Sequence, residues 1–310
     1  MAREYHRLLL LFVDGIGLAP AKADNPFATG ESPEIERLLG GPLTADQVTD
    51  RGDAILVALN ACLGVAGMPQ SATGQAALFT GVNAPRRMGR HVTGLPGPRL
   101  RDLVNAKGLL LRATKGGCSA TFANVYSEGY LRKLARGAAR PSVTTCVAQS
   151  AGVRLRTCED LEVGRAATWD IVGDYYGLKS EIEVASVEPR VVGRRLANLA
   201  ADHDLTVYET FLPDLAGHGR VTIESAEVVR RLDELLGGIL REGGDDLTIV
   251  LTSDHGNFES LSARGHTRNP VPCLAVGPAA AHFRWLSSLT DVTPRVLEVL
   301  GVDVPPRAPR

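Results

Sequence analysis

The sequence predicts an α/β protein with a mostly parallel β-sheet flanked by helices. Three short segments, at residues 7–13, 205–211 and 249–251, are typical of strands; the first and the last are apolar runs, and an aspartate follows each of the three closely. Longer stretches such as residues 222–241 space their apolar residues as an amphipathic helix does. Strands that alternate with helical segments favour a parallel sheet, which binds ligands at the carboxyl ends of its strands.

Composition excludes several classes of protein. The chain has 310 residues and a formal net charge of −1, which argues against a general electrostatic attraction to nucleic acid or to an anionic membrane. No segment approaches the ~20 apolar residues of a membrane helix. The apolar run at residues 7–13 is followed by Asp14-Gly15, so it resembles a first core strand more than a signal peptide.

The cysteines indicate a reducing environment. They are five in number and include no Cys-x-x-Cys pair, which makes a disulfide framework or a cysteine zinc site unexpected. We therefore expect a cytoplasmic protein with no nucleic-acid or membrane partner, and the sequence makes no prediction of its oligomeric state.

The first part of the chain predicts two strands and one helix of interest. The strand at residues 7–13 ends at Asp14, and residues 55–59 form another candidate strand. A loop rich in glycine and proline then leads into an alanine-rich helix that starts near Ser71. A hydroxyl at this position is commonly a helix N-cap, but a helix start also offers free N–H groups to an anion.

The middle of the chain has a different pattern. Gly94 to Pro98 is rich in glycine and proline, and residues 95–190 lack strand-like runs that end in aspartate or histidine. We predict that residues 95–190 form a smaller inserted α+β cap subdomain. Residues 1–94 and 191–310 then form the core.

The last part of the chain adds more polar side chains to strand ends. The run at residues 205–211 precedes Asp214 and His218, and the run at 249–251 precedes Asp254 and His255. His266 follows within reach of the same loop. A simple alternative for Asp254 is a helix N-cap with a hydrogen-bonded histidine beside it.

Convergence of these residues would create a metal site. Carboxyl ends of parallel strands lie along one edge of a sheet, so residues far apart in sequence can meet there. Carboxylate oxygens and imidazole nitrogens both bind Zn²⁺ at about 2.0–2.2 Å. The predicted ligands are Asp14, Asp214, His218, Asp254, His255 and His266.

At this point the motifs resemble a known family. In chain order they are Asp14-Gly15, Gln70-Ser71-Ala-Thr-Gly74 with Thr80-Gly81, Asp214-x-x-x-His218, Asp254-His255-Gly-Asn257 and His266-Thr267. This ordered set is similar to that of the alkaline phosphatase superfamily. The most similar branch is the metalloenzyme branch that contains cofactor-independent phosphoglycerate mutase and phosphopentomutase.

The resemblance implies an alkaline-phosphatase-like fold with two divalent metal ions, Mn²⁺ or Zn²⁺. One ion would be held by Asp214, His218 and His266, and the other by Asp14, Asp254, His255 and the Ser71 oxygen. Two metals at about 3.5–4 Å can stabilise both the attacking and the leaving oxygen of a phosphoryl transfer. Ser71 would be the nucleophile and would carry a phosphoserine intermediate, whereas Thr73 matches no catalytic position.

The implied substrate is a small phosphorylated metabolite, and the implied activity is that of a phosphomutase or phosphomonoesterase. Two alternatives stay open: a phosphodiesterase or sulfatase-type hydrolase of the same superfamily, or a catalytically silent metal-binding module. The chain departs from the mutase pattern at Gln75, where both mutases have histidine, and at Gln70, where the phosphoglycerate mutase has asparagine. Its insert is closer in size to the phosphopentomutase cap than to the much larger inserted domain of the phosphoglycerate mutase.

A basic loop is the remaining candidate. It is either a solvated surface cluster or a clamp for an anionic group of the substrate, because arginine offers paired hydrogen bonds to phosphate and carboxylate oxygens. Its residues are Arg86, Arg87, Arg90 and His91.

Overall fold

A seven-stranded mixed sheet forms the centre of the protein. The structure is a computed structural model that describes residues 7–180, 182–263 and 265–303. In these ranges the strand order is β2-β3-β7-β6-β1-β5-β4. The strands are β1 (Arg7–Val13), β2 (Thr49–Asp50), β3 (Ala54–Leu59), β4 (Ala120–Phe122), β5 (Leu205–Thr210), β6 (Leu247–Thr252) and β7 (Val271–Val276).

The middle of the sheet is parallel, as the apolar runs predicted. β1 pairs in parallel with β5 and β6, with Leu8 opposite Leu205 and Thr248. β7, which the sequence analysis did not identify, pairs antiparallel with β6 and with β3. β1, β5 and β6 therefore deliver their carboxyl ends to one edge of the sheet.

Helices cover both faces of the sheet and complete two buried clusters, one on each side. The first cluster includes Phe12 and Phe79, whose rings meet edge to face at 5.5 Å. None of the helices in the described ranges combines the length and apolar character that a bilayer-spanning helix needs. The helices are α1 (Pro26–Thr29), α2 (Pro33–Leu39), α3 (Ser71–Thr80), α4 (Ala84–Met88), α5 (Pro98–Lys107), α6 (Leu109–Lys115), α7 (Glu128–Ala135), α8 (Val143–Ser150), α9 (Cys158–Glu162), α10 (Asp174–Ser180), α11 (Pro189–Ala201), α12 (Leu212–Gly217), α13 (Ser225–Glu242) and α14 (Leu289–Val299).

The predicted cap at residues 95–190 needs a correction. β4 lies in this segment but pairs with β5 as the edge strand of the main sheet, with Ala120 opposite Leu205. Val143 and Val147 of α8 are buried in the first core cluster, so α8 also belongs to the core. The physical reason is that the apolar side chains of β4 and α8 are buried in the core of the main sheet and do not form a separate core of their own. The buried Tyr176 likewise places α10 in the second core cluster, so a cap remains a proposal for α7 and α9.

Candidate metal centre

The ends of β1, β5 and β6 bring the predicted ligands together. Asp14 follows β1, and its N–H donates to the Thr210 carbonyl of β5 at 2.9 Å. Asp254 and His255 follow β6 and are completely buried. Asp214 lies on α12, just after β5, and His218 follows one turn later.

A first set of atoms converges on the His255 ring. His255 Nε2 lies 3.0 Å from Ser71 Oγ, 3.3 Å from Asp14 Oδ1 and 3.6 Å from Asp254 Oδ2. The side chains come from β1, α3 and β6, so distant parts of the sequence contribute to one cluster. These are the four residues that the family resemblance grouped around one metal.

A second set lies beside the first. Asp214 Oδ1 is 3.4 Å from His218 Nε2 and 3.7 Å from His266 Nε2, and the two histidine nitrogens are 3.1 Å apart. His255 is also close enough to Asp214 and His266 to share a metal ion with them. Its ring stacks on that of His266 with centroids 3.7 Å apart. We assign His255 to the first set, because its Nε2 faces Asp14, Asp254 and Ser71.

The two sets fit divalent metals. Four ligand atoms at about 2.0–2.2 Å around a tetrahedral ion are separated by about 3.3–3.6 Å, close to the spacings of both sets. Asp14 Oδ1 and both oxygens of Asp254 are buried without a hydrogen-bond partner. Such buried acceptors are costly unless a cation or donor compensates them, and a metal ion would do so.

The charges of the site agree with this fit. Burial, with the neighbouring Asp254 and Asp214 carboxylates, raises the pKa of Asp14 well above its usual range. Burial raises the pKa of Asp254 to about 7, and burial with His266 nearby lowers the pKa of His255 well below its usual range. A bound cation would reverse the shift of the two carboxyl groups, because it favours their ionised form, and it would bind the neutral imidazole that the lowered pKa of His255 already favours.

Backbone hydrogen bonds orient two of the imidazoles. The Nδ1–H of His266 donates to the Pro69 carbonyl at 2.8 Å, and that of His255 faces the Gly256 carbonyl at 3.4 Å. A carbonyl can only accept, so Nδ1 carries the proton and Nε2 keeps its lone pair. This is the tautomer that a metal ligand requires.

Two amide side chains hold the carboxylates in place. Asn257 Nδ2 donates to Asp214 Oδ1 at 2.8 Å, and Gln75 Nε2 donates to Asp14 Oδ2 at 3.2 Å. In the sequence, Gln75 is recognisable only as a departure from the mutase pattern. One turn after Ser71 on α3, it instead orients a predicted ligand.

Glu259 links the loops that carry the ligands, and the sequence analysis missed it. It is 1% exposed and accepts hydrogen bonds from Gly17 N at 2.9 Å, Asn257 N at 2.7 Å, Asn269 Nδ2 at 2.9 Å and the Thr267 hydroxyl. It therefore ties the loop after β1 to the segments on either side of His266. Its signal in sequence is weak, because an acidic residue in a loop is usually exposed.

Ser71 does not cap its helix. The N-cap of α3 is Gln70, and no side chain closes the cap. The Ser71 hydroxyl points instead at His255, while the N–H groups of the first helical turn have no intrahelical acceptor. Thr73 has a structural role, because its hydroxyl donates to the Gln70 carbonyl and accepts from Val92 N at 3.0 Å.

A cleft of about 780 Å³ opens over Ser71, Asp14 and Asp214. The basic loop of Arg86, Arg87, Arg90 and His91 is not part of the cleft wall formed by the described residues. Arg86 and Arg87 lie on the exposed side of α4. His91 Nε2 faces the Val65 carbonyl at 3.3 Å. The geometry therefore favours a surface cluster for these four residues. The polar and aromatic wall residues are Asn124, Tyr126, Ser127, Tyr130, Lys133, Ser142, Thr145, Trp169, Tyr176, Lys179, Ser180, Glu209, Phe211 and Arg220.

Comparison with solved structures identifies the fold. The PH0037 protein from Pyrococcus horikoshii superimposes with a TM-score of 0.62 at 14% identity, covering 98% of this chain and 99% of that one. Alkaline phosphatase from the Antarctic bacterium TAB5 superimposes with a TM-score of 0.53 at 12% identity, covering 96% and 99%. The fold is thus that of the alkaline phosphatases.

Sequence comparison indicates which branch of the superfamily the chain resembles. Residues 171–304 match the family model described as Metalloenzyme superfamily, and this range contains Asp214, His218, Asp254, His255 and His266. Together with the fold, the match confirms the predicted resemblance to the metalloenzyme branch of the alkaline phosphatase superfamily.

The similar curated proteins are named 2,3-bisphosphoglycerate-independent phosphoglycerate mutase. The relative from Desulforudis audaxviator is 36% identical over 142 residues, and that from Syntrophotalea carbinolica is 32% identical over 142 residues. Each match covers 42% of this chain and 26% of the relative. The chain thus matches about a quarter of the length of these relatives.

Proposed function

We propose that this protein is a two-metal phosphoryl-transfer enzyme, a phosphomutase or phosphomonoesterase, which acts on a small phosphorylated metabolite through a phosphoserine at Ser71. The observation that carries the proposal is the position of Ser71 Oγ, 3.0 Å from His255 Nε2 and beside buried carboxylate oxygens that have no hydrogen-bond partner. A helix cap would not need such surroundings, whereas a nucleophile that attacks phosphate does.

The residues of the two sets would hold two divalent ions. Asp14, Asp254, His255 and the Ser71 oxygen would bind one, and Asp214, His218 and His266 the other. When bound, such ions neutralise phosphate charge and activate oxygen nucleophiles. Carboxylate and imidazole ligands suit Zn²⁺ and Mn²⁺ alike, and we propose one of these two.

The remaining steps follow from the protein's own groups. The N–H groups of Ser71 and Ala72 at the start of α3 bind the phosphate oxygens and hold phosphorus in front of Ser71, whereas the Thr73 N–H already donates to the Val92 carbonyl. The Ser71 oxygen loses its proton and forms a bond to phosphorus while the ester bond to the alcohol oxygen breaks, and the departing alcohol takes up one proton in return. In the second half, water or a hydroxyl of the retained alcohol attacks the phosphoserine and regenerates Ser71.

Whether the enzyme is a phosphatase or a mutase depends on which acceptor reaches the phosphoserine. Water gives free phosphate, whereas a retained alcohol gives an isomerised ester. A phosphodiesterase or sulfatase activity and a silent module are the alternatives. The cytoplasmic location also stays a prediction, supported by the five free cysteine thiols.

A substrate screen with matched variants tests the proposal. Wild type, Ser71→Ala and Thr73→Val would be supplied with Mn²⁺ or Zn²⁺ and with phosphomonoesters, phosphodiesters and sulfate esters, and free phosphate and isomerised ester would be scored separately. We expect monoester turnover in wild type and in Thr73→Val, and a loss of several powers of ten in Ser71→Ala. Equal activity of Ser71→Ala and wild type would refute the proposal.

A further inference from the structure

Beyond the two metal sets, the cleft wall is mostly aromatic and hydroxylated. The Tyr126 and Tyr130 rings stack with centroids 5.7 Å apart, and Trp169 stacks on Phe211 at 4.4 Å. Among the described wall residues, Glu209 is the one carboxylate outside the proposed metal ligands. Glu209 has no role in the proposed phosphoryl-transfer steps.

Glu209 is built into the floor of the cleft. On β5 it continues the face of Leu205 and Val207, which pack in the first core cluster, so its side chain points to the same side of the sheet. Its backbone is fixed by Asn124, which accepts from Glu209 N at 2.8 Å and donates to the Glu209 carbonyl at 2.7 Å. The Thr144 side chain hydrogen-bonds the Glu209 carboxyl.

The surroundings of Glu209 contain no compensating cation in the described part of the chain. Burial raises the pKa of Glu209 to about 7, and the Thr144 hydrogen bond is the one effect that opposes this rise. The basic wall residues Lys133, Lys179 and Arg220 are exposed at the rim. Lys179 lies over the Trp169 ring at 5.0 Å from its centroid. The floor is therefore acidic and the rim basic.

We propose that Glu209 selects the substrate: it accepts a hydrogen bond from a hydroxyl of an uncharged alcohol and disfavours phosphate esters that carry a carboxylate beside the phosphate. This inference rests on the proposed function and names its substrate class. A neutral, hydroxylated phosphomonoester satisfies the acceptor on the cleft floor. Above about pH 7, where Glu209 is ionised, a second carboxylate there meets a like charge in a partly dehydrated site, where repulsion is stronger than in water.

This preference for an uncharged alcohol would distinguish the chain from its relatives. Phosphoglycerate, which appears in the name of those mutases, carries a carboxylate. The match covers 42% of this chain, so the unmatched part can form a different substrate-binding surface. We infer that the shared metal chemistry serves an ester of another charge type here.

A matched pair of ligands tests this selection. Glycerol 3-phosphate and 3-phosphoglycerate differ by a CH₂OH group in place of a carboxylate. Both would be measured as competitive inhibitors of aryl phosphate hydrolysis by the metal-loaded enzyme, so that a result does not depend on their turnover. The variants are Glu209→Gln and, as a matched control, Glu242→Gln at the exposed end of α13.

In wild type and in Glu242→Gln we expect glycerol 3-phosphate to bind at least about tenfold more tightly than 3-phosphoglycerate. Glu209→Gln should reduce this ratio at least about fivefold. Equal or tighter binding of 3-phosphoglycerate by wild type overturns the inference even if Glu209→Gln does not fold. An unchanged ratio in Glu209→Gln, or inhibition by neither ligand, also overturns it. Failure of the proposed function is distinct, because wild type would then neither hydrolyse nor isomerise any phosphomonoester of the substrate screen.

Discussion

Glu259→Gln should destabilise the protein more than any exposed Glu→Gln change. Glu259 Oε2 accepts from Gly17 N and Asn257 N, and Oε1 accepts from Thr267 Oγ1 and Asn269 Nδ2. In glutamine one of these oxygens becomes an NH₂ group that faces two donors. Two hydrogen bonds are lost and two polar groups stay buried without partners. At about 1–3 kcal/mol for each group, the free energy of unfolding should fall by about 2–6 kcal/mol.

Urea unfolding of the metal-loaded protein measures this loss. Glu242→Gln is the control, because its side chain is exposed on α13, and its effect should stay within about 0.5 kcal/mol. Metal affinity of Glu259→Gln should fall as well, since Glu259 links the loops around His266. A loss below about 1 kcal/mol with unchanged metal affinity would show that Glu259 does not hold the site together.

Three further outcomes are expected. Ser71→Ala should keep its melting temperature and most of its metal while turnover is lost; a less stable but active variant would instead indicate a helix cap worth about 0.5–2 kcal/mol. Chelation should abolish activity and lower the melting temperature, because Asp14, Asp214 and Asp254 then repel one another; activity that survives exhaustive chelation contradicts this. The raised pKa of Glu209, about 7, means that folded protein binds more protons than unfolded protein between about pH 4.5 and 7. Stability should therefore fall by about 1–3 kcal/mol as pH rises through that window in wild type, and by less in Glu209→Gln.

The parts of the fold that the sequence predicted are those with strong local signals. β1 at Arg7–Val13 was predicted to the residue because it is an almost continuous apolar run, and β5 to within one residue because its β-branched and aromatic residues favour a strand. β7 was missed because Pro272 interrupts its pattern, although Val271–Val276 is wholly buried. β4 was assigned to the cap because three residues carry no information about which sheet they join.

The site residues that could be predicted from the sequence were also those with strong local signals. The candidate ligands could be found because each lies at a strand end or in a short ordered motif, and the structure brings them within 3.0–3.7 Å of a partner. Glu259 and Glu209 could not be found in this way. Their roles depend on which groups surround them after folding, and a glutamate in a loop or strand has no periodic signal that reveals those groups.

The most direct test of the central claim is the mass of the peptide that contains Ser71. Metal-loaded wild type would be mixed with a turned-over phosphomonoester and quenched with acid during steady state, with Ser71→Ala and Thr73→Val treated in parallel. We predict one added phosphoryl group on Ser71 in wild type and in Thr73→Val. Active wild-type enzyme that carries no phosphoryl group at Ser71 at any quench time, or carries it on another residue, would contradict the account.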